Sequence, residues 1–129
     1  MKRFAIALFL AVFLVPAACS RGGSGPTITQ DELSNEIEAG KQILLLDVRS
    51  DAEFRSGHIP GAKNVPYEGI GDWMRNQSIA PATDIVVYCE SGKRSAIAQQ
   101  VLIDKGFTSV RHLDGDMKAW RECATCAQE

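Results

Sequence analysis

Asp84-Ile85-Val86-Val87-Tyr88-Cys89-Glu90-Ser91-Gly92-Lys93-Arg94-Ser95 joins a buried strand to a helix through a short polar loop. Ile85 to Tyr88 is an apolar, β-branched run of strand length. After Arg94, apolar residues at Ile97, Val101 and Leu102 keep the spacing of one helix face, and the chain turns at Lys105-Gly106. The loop starts with Cys89, holds Gly92 and ends in Lys93-Arg94. Backbone N–H groups, the positive end of the helix dipole and two cationic side chains then converge on one point. A thiol at that point is expected to be held as thiolate. Cysteine at a strand end is often no more than a small buried hydrophobe. Gly92 and the paired cations, however, have no packing purpose in an ordinary turn. They favour chemistry, with Cys89 as nucleophile and Glu90, Ser91, Gly92, Lys93, Arg94 and Ser95 as an anion cradle.

The flanking sequence repeats the same alternation. Thr27-Ile28-Thr29 predicts a short edge strand, and Thr29-x-x-Glu32 is a capping box for a helix running to Ala39-Gly40, with Leu33 and Ile37 inward. Ile43 to Val48 is apolar without alternation, as a central parallel strand requires. Ser50-x-x-Glu53 is a second capping box, opening a short helix over Asp51 to Arg55. Gly57, Pro60 and Gly61 break the chain, and Ala62 to Val65 can pair briefly as a strand. Glu68 to Met74 predicts a turn or two of helix with Trp73 as a core anchor. Val110 to Leu113 makes the last strand, and Asp116 to about Cys123 the last helix. Strand and helix in alternation mean an α/β fold: a parallel sheet of about five strands with helices on both faces. Ligands of such sheets bind at the carboxyl ends of the strands, where Cys89 falls.

The chain has 129 residues, enough for one domain, and a net charge of −2. Met1-Lys2-Arg3 followed by the apolar run Phe4 to Val15 is a basic and then hydrophobic segment too short to span a bilayer comfortably, as in a secretory signal. Pro16-Ala17-Ala18-Cys19 resembles the cleavage site of a bacterial lipoprotein, in which Cys19 becomes the lipid-bearing terminus; Pro16 departs from the leucine usual there, and simple cleavage within Val15 to Ala18 is the alternative. Either reading expects an exported protein of the periplasm or cell envelope, with membrane anchorage only through Cys19. Residues 1–18 are then the signal, 19–26 a glycine-rich tether, 27–122 the domain and 123–129 a tail. Loss of Lys2 and Arg3 with the signal leaves a charge of −4, which argues against nucleic acid as a partner.

Other polar residues read mainly as structure. Asp47 and Arg49 flank Val48 at a strand end and face the same way, so they can pair or bond loop backbone. His58 sits in a turn-rich loop as a backbone hydrogen-bonder, and His112 can edge the site from the last strand. The histidines and scattered cysteines give no zinc spacing. Cys123-Ala124-Thr125-Cys126 reads most simply as a local disulfide in an exported protein; the sharper readings are a resolving or shielding partner for Cys89, or a metal shared in an oligomer.

Cys89-x-x-Gly92-x-Arg94-Ser95 resembles the active-site loop of single-domain rhodaneses, sulfurtransferases that carry a persulfide on cysteine. Leu46-Asp47-Val48-Arg49, Glu53-Phe54 and Gly57-His58-Ile59-Pro60-Gly61-Ala62-x-Asn64-Val65-Pro66 resemble the family's upstream signature, and Gly106-Phe107-x-x-Val110 with Leu113-x-Gly115-x-x-x-x-Trp120 its closing segment. Together they cover about residues 27 to 121, and Asp116 departs where many relatives have a second glycine. The resemblance implies a rhodanese-like three-layer sandwich and transfer of a sulfane sulfur from thiosulfate or a similar small anionic donor. Cys89 would carry the sulfur to a thiol or cyanide acceptor, with no organic cofactor or metal. Cysteine phosphatases, the rival oxyanion-binding class, use a roomier Cys-x5-Arg loop, whereas Cys89 to Arg94 is Cys-x4-Arg. Two further readings stand beside sulfur transfer. One is a non-catalytic module of this kind that binds a persulfide or a partner; the other is an envelope thiol-disulfide protein using Cys123 and Cys126.

Overall fold

Each run read as strand or helix takes that form in the computed structural model, which describes residues 25–127. The expected signal 1–18, Cys19 and most of the 19–26 tether lie outside the described residues, as do the last two residues of the tail. In chain order the elements are β1 (Thr27–Ile28), α1 (Gln30–Glu38), β2 (Leu44–Asp47), α2 (Asp51–Arg55) and β3 (Lys63–Asn64). A single 3-10 turn (Tyr67–Gly69) leads into α3 (Ile70–Arg75), followed by β4 (Ile85–Tyr88), α4 (Lys93–Asp104), β5 (Val110–Leu113) and α5 (Asp116–Glu122). Both capping boxes form: Thr29 Oγ1 accepts from the Glu32 N–H and Glu32 Oε2 from the Thr29 N–H, and Ser50 and Glu53 repeat the exchange.

The five strands form one parallel sheet in the order β1-β5-β4-β2-β3. β4 lies at its centre, buried on both faces, which is why its sequence is apolar without alternation. Its side chains divide between two cores. Ile85, Val87 and Cys89 meet Ile70 and Met74 of α3 and Ala98 and Leu102 of α4. Val86 and Tyr88 meet Leu33 of α1 and Met117 and Trp120 of α5. The result is a three-layer α/β sandwich with all its crossovers returning to parallel strands. Among the described residues no helix is long and apolar enough to cross a membrane.

Two expectations about packing change. Trp73 is not a core anchor: it is half-buried at the edge of one core, with the Lys63 ammonium 5.8 Å from its ring centroid. Ile70 and Met74 fill that place, and the fully buried tryptophan is Trp120. In α4 the inward face is Ser95, Ala98, Gln99 and Leu102, while Ile97 is 44% exposed. The polar members are admitted because they have partners inside. Gln99 Nε2 donates to the Pro26 and Val110 carbonyls at 2.9 and 3.1 Å, fastening α4 to the sheet edge.

Past α5, Cys123 and Cys126 are joined in a disulfide, and Cys126 is buried against the Trp120 core. Trp120 Nε1 donates to the Ala127 carbonyl at 2.9 Å, so the tail is held to the domain at both levels. Because Trp120 is 0% exposed, Trp120→Ala is expected to cost about 3–5 kcal/mol of unfolding free energy. Urea denaturation should find a clearly smaller loss for Trp73→Ala.

Candidate active site

The hydrogen-bond ladder of β4 ends at Cys89, whose backbone groups must find partners elsewhere. The Cys89 N–H donates to Asp116 Oδ1 at 2.7 Å, and its carbonyl accepts from the Met117 N–H at 3.0 Å. The Glu90 carbonyl accepts from the Lys118 N–H at 3.2 Å, so the first turn of α5 holds the loop from behind. The side chain of Cys89 is equally enclosed, with the residue 1% exposed. Its Sγ accepts from the Gly92 N–H at 3.1 Å and lies 3.3 Å from Ser95 Oγ. Gly92 takes φ +106°, and a Cβ there would come 3.1 Å from Asp116 Oδ2. The glycine is therefore required twice, for the turn and for the approach.

Carboxylates from outside the loop answer its charges. Arg94 forms a two-pronged bond to Glu53 at 2.7 and 2.8 Å, and that pairing holds the Glu53 carboxyl far below the usual carboxylate range. Glu90 bonds Arg121 of α5, which holds its carboxyl low as well, and lies 3.4 Å from Arg49. Arg49 is 1% exposed and paired with the 0% exposed Asp47 at 2.7 Å; its guanidinium also donates to the Gly57 carbonyl at 2.7 Å. The cradle is thus less cationic than Lys93-Arg94 suggests. Lys93 is exposed and, among the described residues, has no ion-pair partner, whereas Arg94 is already engaged. Ser91 is exposed at the loop's tip.

Behind the sulfur lies a polar cluster. Ser95 Oγ is 2.8 Å from Asp116 Oδ1 and 2.8 Å from His112 Nε2, and His112 Nε2 is 2.9 Å from Asp116 Oδ2. Burial works against the charge of Asp116, but hydrogen bonds from His112, the Cys89 N–H and Ser95 outweigh it and keep its carboxyl below the usual range. An ionised carboxylate only accepts, so Nε2 is the nitrogen of His112 that carries a proton toward it. His58 is elsewhere, its Nδ1 3.0 Å from the Phe54 carbonyl and its ring stacked on Phe54.

A family profile described as "Rhodanese-like domain" matches residues 29–123. The chain belongs to the rhodanese-like domain family. The "Sulfurtransferase" of Allochromatium vinosum is 36% identical over 93 residues, covering 72% of this chain and 85% of that protein. The "Probable adenylyltransferase/sulfurtransferase MoeZ" of Mycobacterium tuberculosis is 33% identical over 101 residues, 78% of this chain; the chain spans only 26% of that longer relative. Among solved structures, "Human Single Domain Sulfurtranferase TSTD1" superposes with a TM-score of 0.69 at 28% identity, covering 78% of this chain and 98% of that one. Sulfurtransferases are therefore homologues of this protein at the level of the whole domain.

In this rhodanese-like domain the fold gathers Gly92, Ser95 and Arg94 at the Cys89 sulfur, with Glu90 and Lys93 in the same loop. Cys123 and Cys126 stand apart. Cys126 packs in the Trp120 core and Cys89 in the other, so the sheet separates them, and the geometry offers no resolving or shielding contact. Asp31, Cys123 and Cys126 have metal-like spacing, but the two sulfurs are bonded to each other. From sequence Asp116 reads as the start of the last helix and as a departure from glycine, with no sign of its contact with Cys89. The available signal was an acidic residue next to Gly115, in a turn that faces the loop. From sequence Glu53 reads as a cap and as part of the Glu53-Phe54 signature, with no sign of its bond to Arg94, and Arg121 carries no signal at all.

The Asp47–Arg49 pair anchors the loop's far side through Glu90 and Gly57. Asp47→Asn leaves the buried Arg49 guanidinium with only the longer 3.4 Å contact to the part-exposed Glu90 as counter-charge and is expected to destabilise the domain by about 3 kcal/mol in urea unfolding.

Proposed function

We propose that this protein transfers a sulfane sulfur from thiosulfate or a related small anionic donor to a thiophilic acceptor through a persulfide on Cys89. The observation that carries the reading is the Cys89 sulfur at the carboxyl end of the central strand, with the Gly92 N–H 3.1 Å away at the start of α4. An N–H donor in that place stabilises negative charge on sulfur before and after transfer. The sulfurtransferase homologues support the same chemistry.

In the first half-reaction the Cys89 thiolate attacks the outer sulfur of thiosulfate. The new S–S bond forms as the donor's own S–S bond breaks, and sulfite leaves with that electron pair. Lys93, with the loop amides, meets the departing oxyanion, while Arg94 holds the loop against Glu53. The outer sulfur of the persulfide then carries the charge. In the second half-reaction a thiol or cyanide takes that sulfur, and the electron pair of the Cys89 S–S bond returns to Sγ. The cycle needs no metal or organic cofactor.

A second reading, a binding module that holds a persulfide or a partner without turnover, is favoured by the 1% exposure of Cys89. Intact mass after incubation with thiosulfate separates the two. Wild type should gain one sulfur and lose it on addition of cyanide, and Cys89→Ser should gain none. A sulfur that stays on after cyanide supports the binding module. An adduct that follows Cys123 and Cys126 instead would support the envelope redox reading.

Placement in the cell envelope, with a lipid on Cys19, belongs to the same proposal and rests on residues 1–19 of the sequence. Cys19→Ser is expected to move the protein from the membrane fraction to the soluble periplasm without changing transfer activity. Equal fractionation of wild type and variant would eliminate the anchor.

A further inference from the structure

Ser95 Oγ carries one proton and has four polar neighbours. They are Cys89 Sγ at 3.3 Å, the Gly92 carbonyl at 3.0 Å, and Asp116 Oδ1 and His112 Nε2, each at 2.8 Å. Ser95 is 0% and Asp116 2% exposed, so the arrangement lies beneath the surface. Asp116 is satisfied without Ser95: its Oδ1 has the Cys89 N–H at 2.7 Å, and its Oδ2 has His112 at 2.9 Å. The carboxylate can thus release the serine proton and still keep one donor on each oxygen. Asp116 also has φ +56°, the one non-glycine residue with positive φ among the described residues. A side chain held in that left-handed conformation carries a backbone cost that the surrounding contacts must offset.

We infer that Asp116 is a positioning residue for Cys89, serving as the resting acceptor for the Ser95 hydroxyl and giving it up whenever negative charge stands on Sγ. The inference rests on the sulfur-transfer reading for its place in the cycle. While Cys89 is a thiol, its S–H donates to Ser95 Oγ and the Ser95 O–H donates to Asp116. When the thiol proton leaves to solvent, the hydroxyl turns and donates to the sulfur anion, which then has two donors, Ser95 and the Gly92 N–H. Once the persulfide forms, the charge moves to the outer sulfur, Sγ becomes neutral, and the hydroxyl returns to Asp116. Departure of the outer sulfur restores the charge to Sγ and the hydroxyl turns again. Only one O–H bond rotates, and no proton passes to Asp116. His112 keeps the carboxylate ionised and in place throughout.

This makes Asp116 a competitor for the donor that stabilises the thiolate, and the coupling runs through one oxygen atom. The test is the ultraviolet thiolate absorbance of the full chain at neutral pH, taken as a difference against Cys89→Ser so that only Cys89 is read. Asp116→Gly, which also relieves the left-handed backbone, is expected to raise the thiolate-to-thiol ratio about fivefold, the worth of one hydrogen bond. In a Ser95→Ala background the same change should shift the ratio less than about twofold, since the hydroxyl it releases is gone. Asp116→Asn keeps a neutral acceptor in a conformation asparagine tolerates, and should give a smaller rise than glycine. A rise of equal size with and without the Ser95 hydroxyl would make Asp116 a plain through-space charge and overturn the inference, as would no rise in either variant. The absorbance needs no sulfur donor. A coupled thiolate that accepts no sulfur therefore defeats the transfer reading alone, and sulfur transfer without coupling defeats this inference alone.

Discussion

Everything at the site depends on how the central strand ends. A buried parallel strand satisfies its backbone by pairing on both sides, and at Cys89 the pairing stops while burial continues. Unpaired amides in such a place are costly. Here the start of α5 takes over: the Asp116 carboxylate accepts from the Cys89 N–H, and the Met117 and Lys118 N–H groups donate to the carbonyls of Cys89 and Glu90. One helix N-terminus thus fixes the backbone that carries Cys89. The next helix, α4, is left to address the sulfur itself through Gly92 and Ser95.

The same economy governs the charges. A loop rich in cations would repel its own members and wander, yet each arginine around Cys89 is tied to a carboxylate. Glu53 caps α2 and clasps Arg94; Asp47 and Glu90 share Arg49; Glu90 also meets Arg121. These pairs draw α2, the end of β2, the loop and α5 into one rigid rim. Arg94, though clasped by Glu53, still interacts with the Cys89 sulfur, so the field there comes from that guanidinium, the backbone N–H groups and the α4 dipole. The polarity of the site is thus set by shape and aligned dipoles more than by net charge, in keeping with an acidic chain.

The sheet divides the molecule chemically as well as mechanically. Alternation along β4 sends Cys89 to the α3/α4 side and Tyr88 to the α1/α5 side, where the Cys123–Cys126 disulfide closes the chain's end against Trp120. The Cys89 thiol and the disulfide staple are thereby kept on opposite faces. The Tyr88 hydroxyl accepts the Ile59 N–H at 3.1 Å, which ties the Gly57–Gly61 loop to the strand that leads into Cys89.

Much of this was legible residue by residue. Strand runs, the two capping boxes and the Cys-x4-Arg loop are codes of short range: Ser50 and Glu53 are three positions apart, and Cys89 and Gly92 likewise. Local geometry forces such neighbours together whatever the rest of the chain does, so the sequence alone determined the elements, their order and the place of Cys89 at the head of the loop. Periodicity was less reliable for packing. Ile97 and Trp73 read as core, but α4 presents the smaller Ala98 and two partnered polar residues to the sheet. What only the tertiary structure decided are the contacts of long range. Asp116 meets Cys89 across 27 residues and Glu53 meets Arg94 across 41, and no spacing rule announces either. They exist because parallel strands bring their carboxyl ends side by side, and with them the loops that alone could satisfy one another's buried charges and amides.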